Sequence, residues 1–278
     1  MARCFVQWHQ RFGCSLAIGL LFFGVVSMFG CAVPSSVRSG AGSGSERSMS
    51  QEESEVRRRA YIRLELAANY FESGKTAVAL DEVKQSLVTD PTYADAYNLR
   101  GLIYMRLNDY SQAEESFRQA LNESPHDFAI LHNYAWLLCQ QEKYAEADQQ
   151  FDKVLASRSY SAKSKTLMTQ GLCRVRSGEK EKAEEAFLKS YELDASNPIV
   201  AYNLADLLLQ RGELNRSRFY IRRLNNSDLA DAASLWLGIK VEYALKDSIA
   251  LGQLASQLKQ RFSDSREQIL YERGAFNE

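Results

Sequence analysis

Five cysteines and three histidines are the side chains of this 278-residue chain best suited to specific chemistry: Cys4, Cys14, Cys31, Cys139, Cys173, His9, His126 and His132. A thiol can act as a nucleophile, a metal ligand, a small core residue or half of a disulfide. Cys139 poses that choice in the stretch NYAWLLCQQEKYAEADQQF (133–151), between leucines and glutamines. His126 and His132 have no cysteine, histidine or aspartate neighbours at zinc-ligand spacing, so no metal is expected. His132 reads as a groove or surface residue. The chain has no P-loop, dinucleotide fingerprint or Gly-x-Ser-x-Gly elbow, so neither an enzyme nor a cofactor is expected. EKEKAEEAF (179–187) reads as the solvated face of a helix with paired charges, and RFYIRRLNN (218–226) as a basic patch on a helix, more in keeping with solvent than with lipid headgroups.

Compartment decides what a cysteine does, and the N-terminus speaks to compartment. Arg3 and Arg11 precede the uncharged run FGCSLAIGLLFFGVVSMFG (12–30), the pattern of a secretory signal over residues 1–30. MFGCAVPSS (28–36) resembles the lipobox of bacterial lipoproteins, in which the cysteine, here Cys31, is acylated and becomes the first mature residue. Met28 and Phe29 depart from the usual lipobox residues. The alternative is an uncleaved anchor, because the uncharged run reaches the ~20 residues that a spanning helix needs. Either way Arg3 and Arg11 remain cytoplasmic and the bulk of the chain is exported. Ala32, not Asp, after the cysteine resembles the rule that sends lipoproteins to the outer membrane. Residues 34–54 are rich in Ser and Gly and poor in large apolar groups, so residues 31–57 are expected to form a flexible tether carrying the lipid.

Removing residues 1–30, which hold two arginines and no acids, takes the formal net charge from -1 to -3. That balance offers nothing to nucleic acid. With 45% hydrophobic residues, four prolines, and Leu, Ala, Glu, Gln, Lys and Arg dominant after residue 50, the rest of the chain favours helices.

From residue 58 the chain is periodic. Small residues recur at Ala67, Gly101, Ala135, Gly171, Ala205 and Gly238, spaced by 34, 34, 36, 34 and 33. Twelve residues after each comes a second small residue: Ala79, Ala113, Ala147, Ala183, Ser217 and Ala250. Four further on stands a bulky one: Val83, Phe117, Phe151, Phe187, Ile221 and Leu254. This is the tetratricopeptide (TPR) pattern, in which small residues let two helices cross closely and a large side chain fills the space beside them. The expected fold is therefore all-α: a right-handed TPR solenoid of six helix-turn-helix repeats over residues 58–278. ESGK, RLNDY, QQEKY, RSGE and QRGE supply the turns, and the two extra residues fall in ASRSYSAKSK (156–165).

Such a stack offers a concave face made by its first helices, suited to peptides or partner helices. The repeat register places Tyr61, Leu64, Ala68 and Phe71 on that face in repeat one, and Asp95, Asn98, Leu102 and Met105 in repeat two. It adds His132 and Trp136 in repeat three, and Met168 and Leu172 in repeat four. The lining is largely apolar and aromatic, which suits a hydrophobic or amphipathic segment and not a small-molecule substrate. Leu64, Asn98 and His132 stand where chaperone-binding TPR domains carry a carboxylate clamp, and none is a lysine.

The whole mature chain resembles the type IV pilus biogenesis/stability lipoproteins, the PilF/PilW family. The resemblance is carried by NYAWLLCQQEKYAEADQQF, GLCRVRSGEKEKAEEAF (171–187), SLWLGIKVEYALKD (234–247) and RFSDSREQILYERGAF (261–276). It implies a non-enzymatic outer-membrane protein that holds a segment of the pilus secretin, or of another pilus component, in its groove, either as a pilotin that helps the secretin reach the outer membrane and assemble or as a factor that keeps assembled fibres functional. The rival classes are a general envelope TPR adaptor recruiting proteases or peptidoglycan enzymes, and a scaffold for outer-membrane protein assembly.

The remaining cysteines can now be placed. Cys4 and Cys14 lie in the signal and Cys31 is the lipid site, which leaves Cys139 and Cys173 in the first helices of repeats three and four. Their 34-residue separation sets them near one level on adjacent helices, although first helices often sit too far apart for a disulfide. An oxidising compartment and the family resemblance both point to a Cys139–Cys173 bond. Two buried free thiols are the alternative.

Overall fold

The structure is a computed structural model that describes residues 43–276. Cys31, the signal and the first part of the tether lie outside the described residues. Residues 47–278 form one compact unit; of the unit before it, residues 43–46 are described and form the opening turn of α1.

The described residues form thirteen α-helices and no strand. Six consecutive pairs make up the repeats: α1 (Ser43–Glu72) with α2 (Thr76–Thr89), α3 (Ala94–Arg106) with α4 (Tyr110–Glu123), and α5 (Phe128–Gln140) with α6 (Tyr144–Ala156). They continue as α7 (Lys163–Arg176) with α8 (Lys180–Leu193), α9 (Pro198–Gln210) with α10 (Leu214–Asn225), and α11 (Ala232–Ala244) with α12 (Ser248–Arg261). A short α13 (Arg266–Glu272) closes the stack. One boundary moves. The tether was expected to run to residue 57, yet α1 begins at Ser43. QEESEVRRR (51–59) consists mostly of good helix formers, and Arg58 pairs with Glu55 at 3.1 Å one turn away, so the helix extends well before the first repeat position.

The hairpin turns have a common cause. The residue just past each first helix sits in the left-handed region: Gly74 (φ 77°), Asn108 (60°), Glu142 (63°), Gly178 (83°), Gly212 (79°) and Lys246 (61°). This reversal satisfies the last carbonyls of the helix and turns the chain back on itself. Two of the second helices, α4 and α12, then start on a side-chain cap: Asp109 accepts from Gln112 N at 3.2 Å and Asp247 from Ala250 N at 3.0 Å. The connection from α6 to α7 spans residues 157–162, whereas those before α3, α5 and α9 span 90–93, 124–127 and 194–197. The two-residue excess in the period is absorbed there.

Packing follows the small-and-large pattern. The Phe117 ring lies against Gly101 and the Phe187 ring against Gly171, so close that a methyl group built on either glycine would stand 2.7 or 2.6 Å from the ring. Val83, Phe117, Phe151 and Phe187 are fully buried, and each stabilises its hairpin by roughly 1.5–3 kcal/mol. The last repeat departs from the pattern, since Ala250 and Leu254 are only half-buried where the stack ends. There α13 and the following segment provide the cover: Phe276 stacks on Tyr243 with centroids 4.3 Å apart and lies 5.7 Å from Trp236.

Each helix packs on the one before and the one after it from α3 through α12, and α2 packs on α1 through Ala79 and Val83 against Ala60, Leu64 and Ala67. First helices also touch one another directly, α3 with α5, α5 with α7 and α9 with α11, while among the described residues no comparable contact joins two second helices.

Candidate functional site: the first-helix face

The first helices are tied across the repeats by polar contacts at the repeat offset. Asn133 Nδ2 donates to Asn98 Oδ1 at 3.0 Å, and His132 Nδ1 is 2.9 Å from the Thr166 hydroxyl. Arg106 donates to the Phe71 carbonyl and lies over its ring, 3.5 Å from the centroid. Arg176 donates to Gln140 and lies 4.9 Å over the Trp136 ring. Cys139 and Cys173 form a disulfide between α5 and α7, their Cα atoms 5.9 Å apart.

Most of the residues expected on this face are accessible there. Tyr61 is 49% exposed and Asp95 is exposed; Ala68, Phe71, Asn98, Leu102, Met105, Trp136, Met168 and Leu172 are half-buried. Two expectations are corrected. Leu64 is 8% exposed and belongs to the core formed by α1, α2 and α3, because its side chain points between helices and not across them. His132 is 5% exposed, with Thr166 on one side and the Phe151 ring edge-on at a 5.9 Å centroid separation. Burial, and then the nearby Lys165 charge, pull its pKa down from 6.5 to about 4, so it is a neutral core imidazole at ordinary pH. Position counting alone missed Arg106 and Arg176, although the 35- and 36-residue offsets to Phe71 and Gln140 are the signal that could have found them.

The charged segments outside this face are largely engaged. Glu184 lies within the stretch read as a solvated face, but it is 8% exposed and accepts from Arg211 and Arg216, each at 3.1 Å. In the basic patch, Arg218 and Arg222 both pair with Glu242, which is 1% exposed, and Arg223 lies 5.7 Å over the Tyr191 ring. These arginines brace α10 against its neighbours. Two surface depressions, of about 210 and 330 Å³, lie along α8–α9 and α6–α8 among side chains such as Arg174, which is paired with Asp148 at 2.9 Å. Among the described residues no group of three or more His, Cys, Asp or Glu is arranged to hold a metal, and no helix is long and apolar enough to cross a membrane.

A row of helix hairpins whose first helices touch one another and present an accessible apolar lining defines a tetratricopeptide repeat protein, a scaffold whose chemistry is the recognition of other proteins. Residues 94–127 and 164–197 each match the tetratricopeptide repeat family. The type IV pilus assembly protein PilF of Pseudomonas aeruginosa is 30% identical over 210 residues, covering 76% of this chain and 82% of that protein. The crystal structure of PilW, a widely conserved type IV pilus biogenesis factor, superposes with a TM-score of 0.69 at 28% identity, over 76% of this chain and 97% of PilW. The structure of P. aeruginosa PilF gives a TM-score of 0.69 at 27% identity, over 78% and 99%. The chain belongs to the PilF/PilW family of type IV pilus biogenesis TPR proteins.

Proposed function

We propose that this chain is an outer-membrane lipoprotein of the pilotin type, which carries no catalytic activity and binds a segment of the pilus secretin on its first-helix face, helping the secretin reach the membrane and assemble. The observation that carries this reading is the accessible apolar lining of α1, α3 and α5, on a chain related to PilF over most of its length. Acyl chains on Cys31 supply membrane affinity, the segment before α1 supplies reach, and the face supplies selectivity, since lipid cannot choose a partner.

The test is recovery of the secretin from envelope extracts. Wild type should retain it and the Tyr61→Glu/Met105→Glu double variant should lose most of it; equal recovery by a folded variant would overturn the assignment of this face. Leu64 is unsuitable for such a test because it lies in the core. Location is tested separately: Cys31→Ser should abolish incorporation of labelled palmitate and release the protein from the outer-membrane fraction. Unchanged fractionation would reject the lipid anchor.

A further inference from the structure

Two features set the face of α1, α3, α5 and α7 apart from a merely apolar groove. The first is the amide pair. With Asn133 Nδ2 bonded to Asn98 Oδ1, the Asn133 Oδ1 and the Asn98 Nδ2 have no protein partner among the described residues, and both side chains are half-buried. The pair thus offers one acceptor and one donor side by side, which complements the N–H and C=O of an extended peptide.

The second feature is a pair of arginines with no carboxylate. In the second-helix layer, Arg223 and Arg261 also rest on aromatic rings, whereas Arg118, Arg216, Arg218 and Arg222 each pair with an acidic side chain. Arg106 and Arg176, at the C-terminal ends of α3 and α7, do not: each is laid over an aromatic ring and held by a neutral oxygen. A guanidinium fixed in this way is ready to take a carboxylate in two-point fashion with little further loss of freedom. Between the two lie Leu102, Met105, Trp136, Met168 and Leu172, all half-buried.

Geometry sets the spacing. First helices that pack about 8–10 Å apart put α3 and α7 about 16–20 Å from each other. The Asn98–Asn133 pair stands seven or eight residues before the ends of α3 and α5, about 10–12 Å up the helices at about 1.5 Å per residue, so a chain that bows over it from one arginine to the other covers about 28 Å, or about eight or nine residues at about 3.3 Å each. We propose that this face binds an extended, apolar segment whose main chain is held by the Asn98–Asn133 pair and whose two acidic side chains, about eight or nine residues apart, meet Arg106 and Arg176. The inference rests on the pilotin reading only for which protein supplies the segment.

The experiment pans a phage-displayed library of random dodecapeptides against the full chain in detergent, as wild type and as Arg106→Glu/Arg176→Glu. Wild type should enrich sequences with two Asp or Glu residues about eight or nine apart around apolar residues, and the double variant should enrich Lys or Arg at those positions. Asn98→Ala/Asn133→Ala should retain the sequence preference of wild type but bind the winning synthetic peptide about five- to tenfold more weakly. Thermal melting identifies any variant that fails to fold; for such a variant Arg106→Gln/Arg176→Gln serves, with loss of the acidic preference expected. A wild type with no acidic enrichment, or an arginine variant that keeps it, overturns the proposal. Secretin capture separates the two readings: capture without an acidic preference removes this inference alone, and an acidic preference without capture removes the pilotin assignment alone.

Discussion

Cys139 in α5 and Cys173 in α7 are disulfide-bonded across two adjacent first helices, with 5.9 Å between their Cα atoms and 34 residues of chain between them. The bond joins the two repeats on either side of the six-residue 157–162 connection. Closing a loop of this length stabilises by about 3–4 kcal/mol in the chain-entropy account. Cys139→Ser/Cys173→Ser should lower the unfolding free energy by that order in denaturant titration, and reduction of the wild type should reproduce the loss. Two titratable thiols in the denatured, unreduced domain would contradict the bond.

Gly171 and Gly252 should respond in opposite directions to the same change. A methyl on Gly171 would meet the buried Phe187 ring at 2.6 Å, so Gly171→Ala should cost about 1–3 kcal/mol through overpacking. Nothing lies within 4 Å of a methyl on Gly252, in α12, so Gly252→Ala should stabilise by about 0.5–1 kcal/mol through helix propensity. Melting curves of the two variants check both signs.

His132 should make the fold acid-sensitive. Its pKa is about 4 when folded, below the ordinary 6.5, so between those values the unfolded chain binds a proton that the folded chain refuses. The contribution is complete above about pH 6.5 and shrinks as pH falls toward 4, by roughly 3 kcal/mol at most. The difference in stability between wild type and His132→Phe should therefore change with pH across this window. A difference that stays constant from pH 7 to 4.5 would show that His132 does not titrate as described.

Glu242 is 1% exposed and takes both Arg218 and Arg222 from α10, which fastens α11 to the preceding hairpin. Removing both arginines strands a buried carboxylate, and Arg218→Ala/Arg222→Ala should cost about 3–5 kcal/mol. Glu242→Gln should cost less, because the arginines are 24% and 46% exposed and can be hydrated. Denaturant titration of the two variants gives the order; equal losses would mean that the carboxylate is not the group at stake.

The sequence by itself determined the repeat and its contents. Small residues at Gly101 and Gly171 and large ones at Phe117 and Phe187 recur because every hairpin solves the same local packing problem, so the pattern appears in one dimension. The turns were legible for the same reason, and so was the two-residue insertion. The seven-residue α13 and the seat of Phe276 on Tyr243 were not, because they lie outside the period and form only against the end of the stack. Tertiary structure also decided which face residues are available. Leu64, Asn98 and His132 hold equivalent repeat positions, yet Leu64 and His132 are buried and Asn98 is not. Exposure at these positions depends on how neighbouring helices close over each side chain, and that depends on contacts about 34 residues apart. The same distance dependence governs Cys139 and Cys173: their spacing permitted a bond, and only the approach of α5 to α7 made it.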